Sequence, residues 1–148
     1  MKLSDGVEWG VHVATLLAYL PEGRALPSAR LAEYHGVPAA YLAKHLQALS
    51  RAAILESVQG PRGGYRLAKS ARDVTVLDVV EAIEGTEPAF RCTEIRRRGP
   101  GARPAREYPL PCAIDSVMRS ADLATTVGRA APPKSLVAGA EWIGEALR

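Results

Sequence analysis

Residues 27–67 read PSARLAEYHGVPAAYLAKHLQALSRAAILESVQGPRGGYRL, and the fold is decided inside them. Pro27-Ser28 opens a short helix that ends near Tyr34-His35-Gly36, where a glycine permits the tight turn that helix C-termini favour. Pro38 opens the next helix, proline being favoured in a first turn. Leu42, Leu46 (or His45) and Leu49 then fall on one face at i, i+4 and i+7. Two helices joined by a short glycine-containing turn form the helix-turn-helix pattern. Next, Ile54-Leu55-Glu56-Ser57-Val58 and Tyr65-Arg66-Leu67 flank the turn Gln59-Gly60-Pro61-Arg62-Gly63-Gly64. Two short strands around a Gly/Pro-rich turn predict a hairpin, which after a helix-turn-helix is a wing.

Working outward, Ser4 or Asp5 caps a first helix running to about Leu20, with Val7, Val11, Ala14, Thr15 and Ala18 as its apolar stripe and Pro21-Glu22-Gly23 as its stop. Thr75-Val76-Leu77-Asp78 resembles a capping box with Asp in place of Glu. It opens a helix through Val79, Val80 and Ile83 that Gly85 ends. Between residues 86 and 111, Pro88, Gly99, Pro100, Gly101, Pro104, Pro109 and Pro111 break every periodicity. A loop of that length in a compact chain is functional or disordered. Helix resumes from about Cys112 to Val127, with Ile114, Val117, Met118 and Leu123 apolar. Pro132-Pro133 interrupts it, and a last helix spans Ser135 to Leu147.

The 148 residues suffice for one small domain plus an extension. Net charge is +3, a mild basic excess, but its distribution is uneven. Residues 27–66 hold five Lys/Arg against two Glu, and residues 91–107 hold six Arg against two Glu, so the remainder is acidic. Basic charge therefore gathers where an anionic polymer could use it. No apolar run approaches the roughly 18 residues of a membrane span. The N-terminus MKLSDGVEWG lacks a signal-peptide pattern. Two cysteines make no disulfide framework, and a reducing cytoplasm is the expected compartment. No G-x-S-x-G element, P-loop or G-x-G-x-x-G after a strand is present, so no enzyme is expected.

In a helix-turn-helix the second helix enters a major groove. Ala39, Ala40, Tyr41, Lys44, His45 and Gln47 are the residues expected to face it. Tyr and Lys suit phosphates, Gln can read an adenine edge, and Ala can touch a thymine methyl. Ser28 stands where helix N–H groups would grip a phosphate, and Arg62 at the wing tip suits a minor groove or flanking phosphate. The expected partner is double-stranded DNA. Elsewhere, Glu8 and His12 lie four apart and share a helix face, a pairing that taken alone is most often a surface pair. Cys92 and Cys112, twenty positions apart, suggest metal, redox chemistry or neither. Arg91 beside Cys92, and the helix start at Cys112, favour thiolates at both.

The wing segment Gly60–Leu67, followed ten residues later by Leu77-Asp78-Val79-Val80-Glu81-Ala82-Ile83-Glu84-Gly85, resembles the winged-helix regulator family that includes IscR and NsrR. Val37-Pro38-Ala39-Ala40-Tyr41-Leu42 fits the opening of that family's recognition helix, and the likeness runs from Leu3 to about Leu123. It implies a mainly α winged helix-turn-helix fold, a homodimer built on a long C-terminal dimerisation helix, and often an iron–sulfur cluster. Cluster-binding members usually carry three closely spaced cysteines, whereas this chain has two. Glu8, His12, Cys92 and Cys112 together resemble the ligand set of the redox regulator RsrR. That likeness implies a [2Fe-2S] cluster held by Cys92 and Cys112 of one subunit and Glu8 and His12 of the other. Trp9, next to Glu8, is then either packing or a redox-linked packing switch. The alternative is a cluster-free regulator in which Cys92 and Cys112 form a reversible disulfide. The expected organisation is a DNA-binding domain over 1–85, a cluster-binding loop over 86–111 and dimerisation helices over 112–148, with neither a membrane nor a small-molecule substrate as partner.

Overall fold

The computed structural model describes residues 3–87, 113–125 and 142–147, and of residues 113–116 the backbone alone. Both cysteines, the loop expected over 86–111 beyond its first two residues, and the start of the last expected helix lie outside the described residues. Helix α1 (Asp5–Leu17) is followed by α2 (Ser28–His35) and α3 (Ala39–Arg51). Strands β1 (Leu55–Val58) and β2 (Gly64–Leu67) come next, then a 3₁₀ turn (Ala71–Asp73), α4 (Val76–Glu84) and α5 (Ala113–Ser120). The two-stranded sheet and the helix-turn-helix make the expected winged helix.

The leucine row of α3 forms the centre of the core. Leu42, Leu46 and Leu49 are each fully buried, against Val13 of α1, Leu31 of α2, Val79 of α4 and Leu123. Truncating such a leucine to alanine costs about 2–5 kcal/mol, so this row alone holds much of the fold together. Gly36 caps α2 in the left-handed region (φ 64°), as its position predicts. The capping box of α4 is complete: the Thr75 N–H donates to Asp78 Oδ2 at 2.8 Å and the Asp78 N–H donates to Thr75 Oγ1 at 3.1 Å.

Two expectations for α1 are corrected. The helix stops at Leu17 rather than Leu20, because the Tyr19 and Leu20 amides bond to carbonyls three residues back, tightening the chain before Pro21. Its buried face is Gly6, Val7, Gly10, Val13, Ala14, Leu16 and Leu17, while Val11, Thr15 and Ala18 are only half-buried. The glycines explain the rotation. A Cβ on Gly10 would stand 2.5 Å from Ile83 Cδ1 and 3.1 Å from Val79 Cγ1, so α1 meets α4 through bare backbone that an apolar stripe does not count.

The hairpin is antiparallel in the register Leu55↔Leu67, Glu56↔Arg66, Ser57↔Tyr65 and Val58↔Gly64. A third segment joins it, since Leu26 and Tyr65 exchange backbone hydrogen bonds of 3.0 and 2.8 Å. Gly64 is required there: its φ is +144°, and a Cβ would lie 2.2 Å from the Leu26 carbonyl.

The helix expected from Cys112 to Val127 is divided. α5 ends at Ser120, Asp122 forms an isolated bridge with Thr75, and helical residues 123–125 start a new turn. Asp122 caps that turn, its Oδ1 accepting the Thr125 N–H at 2.7 Å and its Oδ2 the Thr125 hydroxyl at 2.6 Å. These bonds hold the Asp122 carboxyl below its ordinary pKa, the Thr125 hydroxyl contributing most. Of the expected apolar face, Leu123 is buried in the main core, Met118 packs against Val7, Leu77 and Val80, and Val117 stays 66% exposed.

Candidate nucleic-acid interface

With its leucines turned inward, α3 presents the opposite row outward. Ala40, Lys44, Gln47 and Arg51 are all exposed at helical spacing, with Ala39 exposed at the leading end. Arg51 lies outside the residues expected from sequence to face a groove, although its i+7 spacing from Lys44 is the signal that identifies it. Tyr41 flanks the row at 49% exposure, and Lys44 Nζ sits 5.7 Å from the centre of its ring. Ser28 is the first residue of α2, half-buried, and Arg62 is exposed at the wing tip.

The cations of this surface divide into two groups. Arg30 is paired with Glu33 at 2.9 Å and Arg66 with Glu56 across the hairpin at 2.6 Å. Lys44, Arg51 and Arg62 have no acidic partner among the described residues. Their charge is therefore uncompensated, the condition under which phosphate contacts release counterions and add affinity.

His45 is placed differently from the sequence expectation. Its ring turns into the seam between α3 and α1 rather than toward the exposed row. A Cβ on Gly6 would meet three of its ring atoms at 2.3–2.8 Å, and its Nε2 is buried without a hydrogen-bond partner. The physical reason is the missing side chain at Gly6, which leaves an imidazole-sized recess in α1. Trp9 closes this recess, edge-on to Tyr41 at 5.3 Å and to His45 at 6.1 Å between ring centres. Trp9 therefore joins α1 directly to the outward helix.

Glu8 and His12 lie on the face of α1 turned away from the core, and both are exposed. Their donor set, a carboxylate and an imidazole one turn apart, fits half of a metal or cluster site. Among the described residues no three His, Cys, Asp or Glu side chains converge on a metal position. His35, at the end of α2, lies 6.0 Å from His12 between ring centres. Burial holds the His35 imidazole below the usual histidine pKa, and His12 pushes it in the same direction.

No described helix is long and apolar enough to cross a membrane. A family model described as Rrf2, iron-dependent transcriptional regulator, matches residues 3–126. A putative HTH-type transcriptional regulator of Lactococcus lactis, YffB, is 36% identical over 118 residues, covering 80% of this chain and 74% of its own. The similar Bacillus subtilis regulator YwgB is 38% identical over 85 residues, 57% of this chain and 54% of its own, so the match spans about half of that relative. Among solved structures, IscR of T. potens aligns with a TM-score of 0.66 at 26% identity over 88% of each chain. CymR, the global cysteine regulator of B. subtilis, aligns with a TM-score of 0.66 at 19% identity, over 87% of this chain and 98% of its own, a likeness of fold. The winged helix, its outward cationic row and these matches agree: the chain belongs to the Rrf2 family of transcriptional regulators.

Proposed function

We propose that this regulator binds double-stranded DNA as a homodimer, with α3 in the major groove and the Arg62 wing on a flanking minor groove or phosphate. The observation that carries the reading is the exposed row of α3, Ala40, Lys44, Gln47 and Arg51, whose cations, like the neighbouring Arg62, have no acidic partner among the described residues. Lys44 and Arg51 neutralise phosphates, Ala39, Ala40 and Gln47 meet base edges, Tyr41 and Ser28 add backbone contacts, and His45 supports the helix from behind. The test is a salt titration of operator binding. Lys44→Ala should lower the slope of log K against log[salt] by about one unit. An unchanged slope removes Lys44 from the interface.

The sensing reading is a [2Fe-2S] cluster held by Glu8 and His12 with Cys92 and Cys112 of the partner subunit. It is supported by the exposed carboxylate–imidazole pair, which the fold leaves facing away from the core. Bound there, the cluster would supply a one-electron couple. The chain's own part is to hold Glu8 and His12 on one rigid helix whose next residue, Trp9, touches Tyr41 and His45 of α3. Anaerobic reconstitution of His12→Ala and Cys112→Ala, read by visible spectrum and by iron and sulfide content, tests it. An unaltered spectrum in either variant overturns the ligand set. A colourless wild-type protein with a reversible Cys92–Cys112 disulfide would instead establish the thiol mode.

A further inference from the structure

Beyond the stretch matched by the family model, the chain returns to its own DNA-reading unit. Helical residues 142–146 bring Ile143 into the main core, where it is 5% exposed, alongside the partly buried Ala146 and Leu147. Trp142 packs on Tyr34 of α2, ring centres 4.8 Å apart. Arg24 donates from Nη2 to the Leu147 carbonyl at 2.6 Å. Arg24 stands two residues before Leu26, the residue whose backbone pairs with Tyr65 of the wing. A cleft of about 600 Å³ separates Ala146 and Leu147 from the wing tip, Pro61 to Gly63. One short segment thus touches α2, the core and the connection that carries the wing.

We infer that residues 142–147 are a clasp that holds α2 and the wing in one arrangement, with Trp142 and Arg24 as positioning residues for DNA binding. The inference rests on the DNA-binding reading above. A two-stranded hairpin is marginal by itself and needs packing or a third segment to hold its place. Here the third segment is Leu26, and Arg24 fixes its approach by tying it to the C-terminal helix. An unclasped wing samples arrangements that do not fit DNA, and affinity falls in proportion to the competent fraction.

The test uses the full chain with Arg24→Met, which removes the bond to Leu147 at nearly constant volume, and Trp142→Ala. Operator binding and amide hydrogen exchange are both measured. Each variant should raise the operator Kd about tenfold, as a fall of the competent fraction to about one tenth requires, with an unchanged salt slope. The Tyr65 amide, bonded to the Leu26 carbonyl at 2.8 Å, should exchange about tenfold faster in Arg24→Met, while α3 core amides keep their rates. A Kd within twofold of wild type overturns the clasp, as does parallel acceleration of the α3 amides, which is global destabilisation. A salt slope lowered by about one unit would make Arg24 a phosphate contact instead, also overturning it. If Trp142→Ala does not fold, Arg24→Met decides alone. Because the exchange readout needs no DNA, failure of the clasp is distinguishable from failure of the DNA-binding reading.

Discussion

Adding one methyl group at Gly6 tests how α1 supports the outward helix. A Cβ there would stand 2.3 Å from Cε1, 2.7 Å from Nε2 and 2.8 Å from Nδ1 of His45. Carbon contacts settle at about 3.5–4.0 Å, so the ring must retreat by roughly 1 Å. It has little room, with Trp9 and Tyr41 ring centres 6.1 and 5.2 Å away. Overpacking of this kind costs about 1–3 kcal/mol, and the helix preference of Ala over Gly returns up to about 1 kcal/mol. Gly6→Ala should therefore destabilise by about 1–2 kcal/mol net, lowering the melting temperature by about 3–8 °C. In a His45→Ala background the clash is gone, so the same substitution should become neutral or stabilising by up to about 1 kcal/mol. A double-mutant cycle by thermal melting would then show a coupling of about 2 kcal/mol. If Gly6→Ala has the same effect in both backgrounds, the recess does not hold His45 and the account of the seam is wrong.

The wing makes a similar demand at Gly64, where φ +144° and the Leu26 carbonyl 2.2 Å from a would-be Cβ exclude any side chain. Gly64→Ala should cost about 2–4 kcal/mol by denaturant unfolding and expose the Leu26–Tyr65 pairing to rapid amide exchange. Ala53 has the opposite problem, a left-handed φ of 54° just past α3, so Ala53→Gly should raise stability by about 0.5–1 kcal/mol; a loss would show the turn is not strained. Burial, and after it His12, lower the folded pKa of His35 below the unfolded value of about 6.5. The unfolded chain then binds the extra proton, and stability should fall as pH drops through about 6.5 and level off below the folded pKa; melting curves of His35→Gln should lose part of that dependence.

The legible parts of the fold were those governed by punctuation and strict spacing. Leu42, Leu46 and Leu49 repeat as a helix requires, Gly36 and Gly85 mark helix ends, and Thr75 with Asp78 spells a cap. What escaped was decided by atoms that are missing or by tertiary partners. Gly6 and Gly10 have no hydrophobicity to register, yet they set which side of α1 is buried and where His45 goes. The break at Ala121-Asp122 depends on a bridge to Thr75, a partner 47 positions away whose pairing no local pattern announces. Arg24 reads as an ordinary loop arginine until Leu147 arrives beside it. For the site, the outward residues of α3 followed from the leucine period, while the inward turn of His45 did not.

Two of these misses, Gly6 and His45, meet at the seam between α1 and α3, and that bears on signalling. α1 carries Glu8 and His12 on one side and, on the other, the bare Gly6 surface that seats His45. Trp9 lies between the two and reaches Tyr41. Anything held by Glu8 and His12 that moves α1 therefore acts on α3 through packed rings, with no loop intervening to absorb the displacement. Close-packed interiors shift between discrete arrangements rather than deforming smoothly, so a change of the order of a ring's thickness at this seam reorients the outward row as a unit. In a dimer, two such rows must match half-sites a helical turn apart, a spacing with little tolerance. Under the proposed sensing mode, weakening the seam without touching Glu8, His12 or the outward row should then uncouple sensing from binding, which is why Gly6 and His45, and not the proposed ligands, are the informative positions to change.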